Sequence, residues 1–164
     1  MEIKNILLPV DGSECRMKFL GIVEEIALAF DAEITILHVQ DRYSSLPIQN
    51  IFETQFDIKN IKNIPIINKK PGMHVISSIK KFLRGSGIIL HPRVEIGNPA
   101  EKIIDIAEKE NFDIIIMCSH GMSSSKKFLL GSVTNKVVHY SSKPVLIIKH
   151  EFCKVIDLNM ARKY

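Results

Sequence analysis

The residues best suited to chemistry form a stretch at positions 118–134, which reads Cys-Ser-His-Gly-Met-Ser-Ser-Ser-Lys-Lys-Phe-Leu-Leu-Gly-Ser-Val-Thr. Gly131 and Ser132 open a segment with helical spacing. The first amides of a helix lack partners within it and lie at the positive end of its dipole, so they attract anions. Gly131 leaves room beside the backbone, and the hydroxyls of Ser132 and Thr134 can donate further hydrogen bonds. The stretch predicts a phosphate site, with a plain strand–loop–helix connection as the alternative.

Familiar catalytic and phosphate-binding signatures do not occur in the sequence. It has no GxxxxGKS/T loop, and its first apolar run ends in Pro-Val-Asp-Gly-Ser rather than in a GxGxxG turn. Neither a GxSxG elbow nor an HExxH helix is present, and no His or Cys spacing fits a zinc site. The sequence therefore favours ligand binding over catalysis.

The segments that must hold this stretch in place alternate between strand-like and helix-like patterns. Strands are predicted at 3–10, 33–39, 88–96, 113–118 and 144–149, and helices at 14–30, 51–62, 72–84, 99–110 and 132–141. This order is typical of a parallel α/β sheet with helices on both faces. Pro92 predicts an edge position for its strand, whereas the uninterrupted apolar run at 113–118 predicts a central one.

In a doubly wound sheet, ligands bind outside the C-terminal ends of the strands, where the winding direction reverses. The corresponding positions here are 9–13, 39–42, 97–98 and 118–134. The stretch with the chemical groups thus falls where a ligand is expected. Asp11 lies there too, and it could either contact a ligand or bond its own turn.

Composition limits the classes of protein that remain. With 164 residues, 46% of them hydrophobic, the chain can form one domain with a full core, expected at 1–149 and followed by a tail at 150–164. The net charge of +4 is low for a dedicated nucleic-acid binder, and no apolar run approaches the ~20 residues of a membrane span. Neither nucleic acid nor a membrane is therefore an expected partner. Three scattered cysteines and a start without a signal-peptide pattern predict a cytoplasmic protein.

Over residues 2–149 the chain resembles the universal stress protein family. The resembling segments are Ile6–Ser13, Leu37–Val39, Gly97–Pro99 and the block Ile114–Lys149. The nucleotide-binding branch of that family carries a G-x2-G-x9-G-S/T motif, which aligns here with Cys118, Gly121, Gly131 and Ser132. The resemblance implies a doubly wound, Rossmann-like α/β fold whose five-stranded parallel sheet has the order 3-2-1-4-5.

The resemblance further implies an ATP site, with Mg²⁺ or Mn²⁺ bridging the phosphates. Apolar side chains at the strand ends would line the adenine, Asp11 would bond the adenine or ribose, and the start of the last helix would hold the phosphates. The residues implied are Pro9, Val10, Asp11, Val39, Met117, Cys118, His120, Gly121, Gly131, Ser132, Val133 and Thr134. Cys118 replaces the first glycine of the motif. Because it ends a strand, extended backbone is expected there, so cysteine narrows the site without straining the fold.

A member of the nucleotide-binding branch would act as a nucleotide-dependent stress-response switch with at most slow ATP hydrolysis. Two alternatives stay open: a dimeric scaffold that no longer binds nucleotide, and an adenylating enzyme that uses ATP. The resemblance also implies a homodimer that pairs the apolar edge strand at 145–148 with its copy, and an unidentified protein partner. Between Lys59 and Arg84 the chain has seven basic and no acidic residues, a pattern typical of a solvated helix face.

Overall fold

A computed structural model of the protein describes residues 2–12, 17–41, 70–119 and 130–149. Strands and helices alternate in these ranges as β1 (Asn5–Val10), α1 (Met17–Phe30), β2 (Glu33–Gln40), α2 (Lys70–Phe82), β3 (Leu90–Ile96), α3 (Pro99–Lys109), β4 (Ile114–Cys118), α4 (Ser132–Tyr140) and β5 (Val145–Ile148). The predicted strands are confirmed, as are the predicted helices that fall in these ranges, with bounds shifted by up to three residues. The helix predicted at 51–62 and the tail at 150–164 lie outside the described residues.

The strands form one parallel sheet in the order β3-β2-β1-β4-β5. This is the expected doubly wound topology, in which the chain moves outward from the centre in both directions. β3 lies at one edge, as Pro92 predicts, and β5 lies at the other. β4 is internal, and its Ile115 and Ile116 are fully buried. The winding direction therefore reverses between β1 and β4.

Helices cover both faces of the sheet, because successive residues of the inner strands are apolar and point to opposite sides. On the α1/α2 face, Ile6 and Ile36 pack with apolar side chains of α1 and α2. On the α3/α4 face, Leu7 and Leu37 pack with those of α3 and α4.

The start of α3 is capped by the side chain of Asn98. Oδ1 of Asn98 accepts hydrogen bonds from the amides of Ala100 at 3.1 Å and Glu101 at 3.4 Å. Pro99 occupies the first helical position, where its missing N–H costs nothing. The Asn-Pro pair thus caps α3, and the first amides of this helix are occupied.

At the N-terminal ends of the strands, the side chain of Asp113 likewise accepts hydrogen bonds from backbone amides. Its Oδ2 accepts hydrogen bonds from the amides of Lys4 at 2.9 Å and Asn5 at 2.8 Å. Both hydrogen bonds lower the pKa of the Asp113 carboxyl below its ordinary value of 3.8. The bond from Lys4 has the larger effect and the bond from Asn5 the smaller one. A carboxylate of the chain therefore fixes the start of β1.

Candidate functional site

The central strands separate toward their C-terminal ends. Among the described residues, β1 and β4 pair at Ile6 with Ile114 and at Leu7 with Ile115, near their starts. β1 and β2, in contrast, stay paired to the last residue of β1, and β4 and β5 stay paired to the ends of both strands. The helix that follows β1, α1, packs on the α1/α2 face, and the helix that follows β4, α4, packs on the α3/α4 face. The region between the ends of β1 and β4 is therefore the switch-point crevice, where ligands bind in sheets of this topology.

The first turn of α4 lies at this crevice without a side-chain cap. Gly131 occupies the cap position and provides no side chain, and the first turn contains no acidic residue. The first backbone bond within the helix runs from the amide of Asn135 to the carbonyl of Gly131, at 2.8 Å. The amides of Ser132, Val133 and Thr134 precede that bond, so they have no acceptor within the helix. They and the exposed Ser132 hydroxyl form a set of donors at the positive end of a helix dipole.

The same turn is fastened to the end of β4. Oγ1 of Thr134 donates to the carbonyl of Cys118 at 3.0 Å, and the amide of Gly131 donates to the carbonyl of Ser119 at 2.8 Å. Thr134 is only 4% exposed. Because a hydroxyl has a single proton, Thr134 can offer its amide, but not its hydroxyl proton, to an anion while this bond is made.

Cys118 stands where the motif has its first glycine, and its backbone is unstrained. Among the described residues other than glycine, positive φ angles occur at Asp31 and Asn111, so the expectation of ordinary backbone at Cys118 is confirmed. Its side chain packs on the α1/α2 face, whereas Val133 packs on the α3/α4 face. The sheet therefore lies between the thiol and the first turn of α4.

The ends of β1 and β2 bring further predicted residues to the crevice. Pro9 and Val10 are half-buried, and Asp11 is exposed directly after them. Val39 and Met117 pack on the α3/α4 face, while Val10 packs on the other face. Apolar side chains thus approach the crevice from both sides of the sheet. His120 and Gly121, also predicted for the site, lie outside the described residues.

His38 is half-buried and hydrogen-bonded to the neighbouring strand β1. Its Nδ1 lies 2.9 Å from the carbonyl of Val10, and since a carbonyl only accepts, Nδ1 carries the proton. A Cβ on Gly72 would come within 2.7 Å of Cδ2 of His38, so only glycine lets α2 begin this close to the end of β2. Gly72 was missed by the sequence reasoning, although an unfavourable glycine in the first turn of a helix is a usable signal.

The described ranges contain no helix with the length and apolar character of a membrane span. They also contain no group of three or more His, Cys, Asp or Glu side chains placed to hold a metal ion. Protein ligands for a cation are thus not assembled in the described part of the chain.

The model of the universal stress protein family matches residues 2–149. The chain belongs to this family. The universal stress protein MJ0577 of Methanocaldococcus jannaschii is 35% identical over 156 residues, which cover 90% of this chain and 96% of that protein. MJ0531 of the same organism is 30% identical over 148 residues, which cover 89% of this chain and 82% of that protein.

Solved structures of family members share the fold. The structure of MJ0577 aligns with a TM-score of 0.70 at 35% identity, covering 91% of this chain and 97% of that chain. A universal stress protein from Archaeoglobus fulgidus, in complex with dAMP, aligns with a TM-score of 0.61 at 18% identity, covering 91% of this chain and all of that chain. At such low identity the second alignment speaks for the fold alone.

Proposed function

We propose that this universal stress protein binds ATP at the crevice and acts as a nucleotide-dependent switch in a stress response, with at most slow hydrolysis. One observation carries the proposal: α4 begins beside the crevice with glycine at its cap position and no acidic residue in its first turn. The positive end of the helix is thus offered to an anion from outside the chain. Family membership supports an adenine nucleotide as that anion, and a family member of the same fold from Archaeoglobus fulgidus has been solved in complex with dAMP.

The phosphates would be held by the amides of Ser132, Val133 and Thr134 and by the Ser132 hydroxyl. All of these groups can donate, which suits phosphate oxygens because those only accept. Gly131 has no Cβ, so the ligand can come close to the backbone at the cap position. By resemblance, His120 and Gly121 would complete this part of the site. Mg²⁺ or Mn²⁺ would be held mainly by phosphate oxygens and water, as these cations are in many phosphate sites.

The adenine and ribose would lie against the ends of β1 and β2. Val10 and Cys118 on one face and Val39 and Met117 on the other provide apolar surface at the sheet edge, as a flat ring requires. The exposed Asp11 carboxylate would accept from the adenine amino group or the ribose hydroxyls. Because the thiol of Cys118 points away from α4, the cysteine leaves the proposed phosphate position open. This favours nucleotide binding over the alternative of a scaffold without nucleotide.

The protein is further proposed to be a cytoplasmic homodimer joined through β5. In the described sheet β5 has a neighbour on one side only, and its first three residues are half-buried apolar side chains. An apolar open edge promotes aggregation unless it is covered, and antiparallel pairing with β5 of a second copy would cover it with two-fold symmetry. Light scattering tests this: a dimer has twice the chain mass of 18.6 kDa, whereas a monomeric mass contradicts it.

Calorimetric titration with ATP, with and without Mg²⁺, tests the proposed site. At about 100 times its dissociation constant ATP should stabilise the fold by about 2.7 kcal/mol and raise Tm by several degrees. GTP is the control for recognition of adenine. Absence of both heat and a Tm shift at millimolar ATP would contradict the proposal and favour the scaffold. Steady release of pyrophosphate with a candidate substrate would instead favour the adenylating enzyme.

A further inference from the structure

We infer that Thr134 is a positioning residue of the crevice: its hydroxyl fixes the first turn of α4 against the end of β4 and does not donate to the ligand. The inference rests on the proposed ATP site, whose phosphates would be held by this same turn. It gives the two hydroxyls of the turn different tasks. Ser132 donates to the ligand, and Thr134 holds the helix in place.

Two hydrogen bonds define the attachment. Oγ1 of Thr134 donates to the carbonyl of Cys118, 16 positions earlier, and the amide of Gly131 donates to the carbonyl of Ser119. The two acceptors are consecutive carbonyls of β4 and the residue after it, while the two donors stand at the start and the end of the first helical turn. Because Thr134 is almost fully buried, water competes little for its bond. Together the bonds fix both the position and the rotation of the turn relative to the strand.

An anion site depends on this placement, because hydrogen bonds weaken steeply with misalignment and the influence of the helix dipole falls off within the first turn. The Thr134 hydroxyl also offsets the partial negative charge of the Cys118 carbonyl, which lies at the same edge of the sheet as the proposed phosphates. Loss of the hydroxyl should therefore weaken the hold on phosphate in two ways. It should leave the adenine contacts at β1 and β2 intact.

Two substitutions separate the hydroxyl from the rest of the side chain. Thr134→Val keeps the shape and removes the hydroxyl, whereas Thr134→Ser keeps the hydroxyl and removes the methyl group. Calorimetry with ATP and with adenosine then measures the two parts of the site in the same protein. We expect Thr134→Val to weaken ATP binding by ~10-fold or more, as loss of one well-formed hydrogen bond would, with adenosine binding unchanged. Thr134→Ser should restore most of the ATP affinity.

Ser132→Ala is the matched control on the same turn. It should also weaken ATP binding, but the Tm of the ligand-free protein should stay unchanged because the Ser132 hydroxyl is exposed. Thr134→Val should lower that Tm, since it removes a buried hydrogen bond.

The outcomes distinguish failure of the inference from failure of the proposed function. Equal ATP affinities of the wild-type protein and the Thr134→Val variant would overturn the inference and leave the proposed function intact. A Thr134→Ser variant as weak as Thr134→Val would also overturn it, because packing of the methyl group would then be decisive. Absence of ATP binding by the wild-type protein would overturn the proposed function and this inference with it. If Thr134→Val does not fold, Thr134→Ala replaces it in the same comparisons.

Discussion

α3 and α4 begin at the C-terminal ends of the strands and pack on the same face of the sheet, yet their first turns differ in two respects. At α3 the chain supplies its own acceptor, Asn98, and places Glu101 near the positive end of the helix. At α4 the cap position is Gly131, which has no side chain, and the first turn contains no acidic residue. The chain thus supplies its own acceptor at the start of α3, whereas no side chain of the described residues caps the start of α4, which suits an external anion.

The contrast shows which feature of a helix start carries information about a ligand. Every helix has amides without intrahelical partners at its start, so their presence alone does not distinguish a ligand site from an ordinary helix start. A glycine at the cap position costs only a few tenths of a kcal/mol relative to a polar cap, so the chain gives up little stability at α4. The absence of a carboxylate from this turn matters more for ligand binding than the missing cap matters for stability. An acidic side chain there would compete with a phosphate for the same amide donors.

Giving α4 both a capping side chain and a negative charge, which α3 has in Asn98 and Glu101, should produce the largest effect. Gly131→Asp is compatible with the backbone, because its φ of −57° and ψ of 152° are open to any residue. The new carboxylate would accept from the first amides of α4 and repel phosphate. We expect ATP affinity to fall by ~100-fold or more, with the stability of the ligand-free protein unchanged or raised. Calorimetric titration and thermal unfolding measure the two quantities.

Gly131→Asn is the control for that experiment, since it has nearly the size of aspartate and the acceptor of Asn98 but no charge. It should lose less ATP affinity than Gly131→Asp. Equal losses would mean that bulk rather than charge blocks the site. An unchanged affinity in the Asp variant would show that phosphate binds elsewhere, and the contrast between α3 and α4 would lose its functional meaning.

Asp113 extends the comparison to the N-terminal ends of the strands, opposite the proposed site. There its carboxylate accepts hydrogen bonds from backbone amides. Asp113→Ala removes the acceptor of two amide hydrogen bonds, from Lys4 and Asn5. We expect the free energy of unfolding to fall by about 1–2 kcal/mol in urea titrations, with ATP affinity unchanged because the site lies at the other edge. If Asp113→Ala lost as much ATP affinity as Gly131→Asp, the N-terminal ends of the strands would not be independent of the proposed ATP site.

The contribution of Asp113 to the free energy of unfolding should also depend on pH and should decrease in acid. Its pKa in the folded protein lies below 3.8, so as pH falls the unfolded chain takes up the proton first. The stabilisation is therefore complete well above pH 3.8 and is lost as pH falls through the lower, folded pKa. Urea titrations of wild type and Asp113→Asn should show a difference near neutral pH that shrinks in acid. A difference that stays constant with pH would mean that the charge contributes nothing.

The strands and helices could be predicted from the sequence because their signals are local, whereas the order of the strands came from the family resemblance. Pro92 marks an edge strand, the pair Asn98-Pro99 marks a helix start, and apolar periodicity separates strands from helices. The crevice could be predicted only as a region, since it depends on contacts between residues far apart in the chain. No local pattern reveals that the Thr134 hydroxyl binds the carbonyl of Cys118, or that β1 and β4 part after their first pairs.

The smallest effect should come from making α3 resemble α4. Asn98→Ala removes the cap and should lower the free energy of unfolding by about 1 kcal/mol, whereas Asn98→Gly should lower it by only a few tenths. Neither change should alter ATP affinity, because no residue of α3 belongs to the proposed phosphate site. Urea unfolding and calorimetric titration of both variants test this. If Asn98→Gly raised ATP affinity, the exposed start of α3 would be a second anion site, and capping would no longer distinguish the two helices.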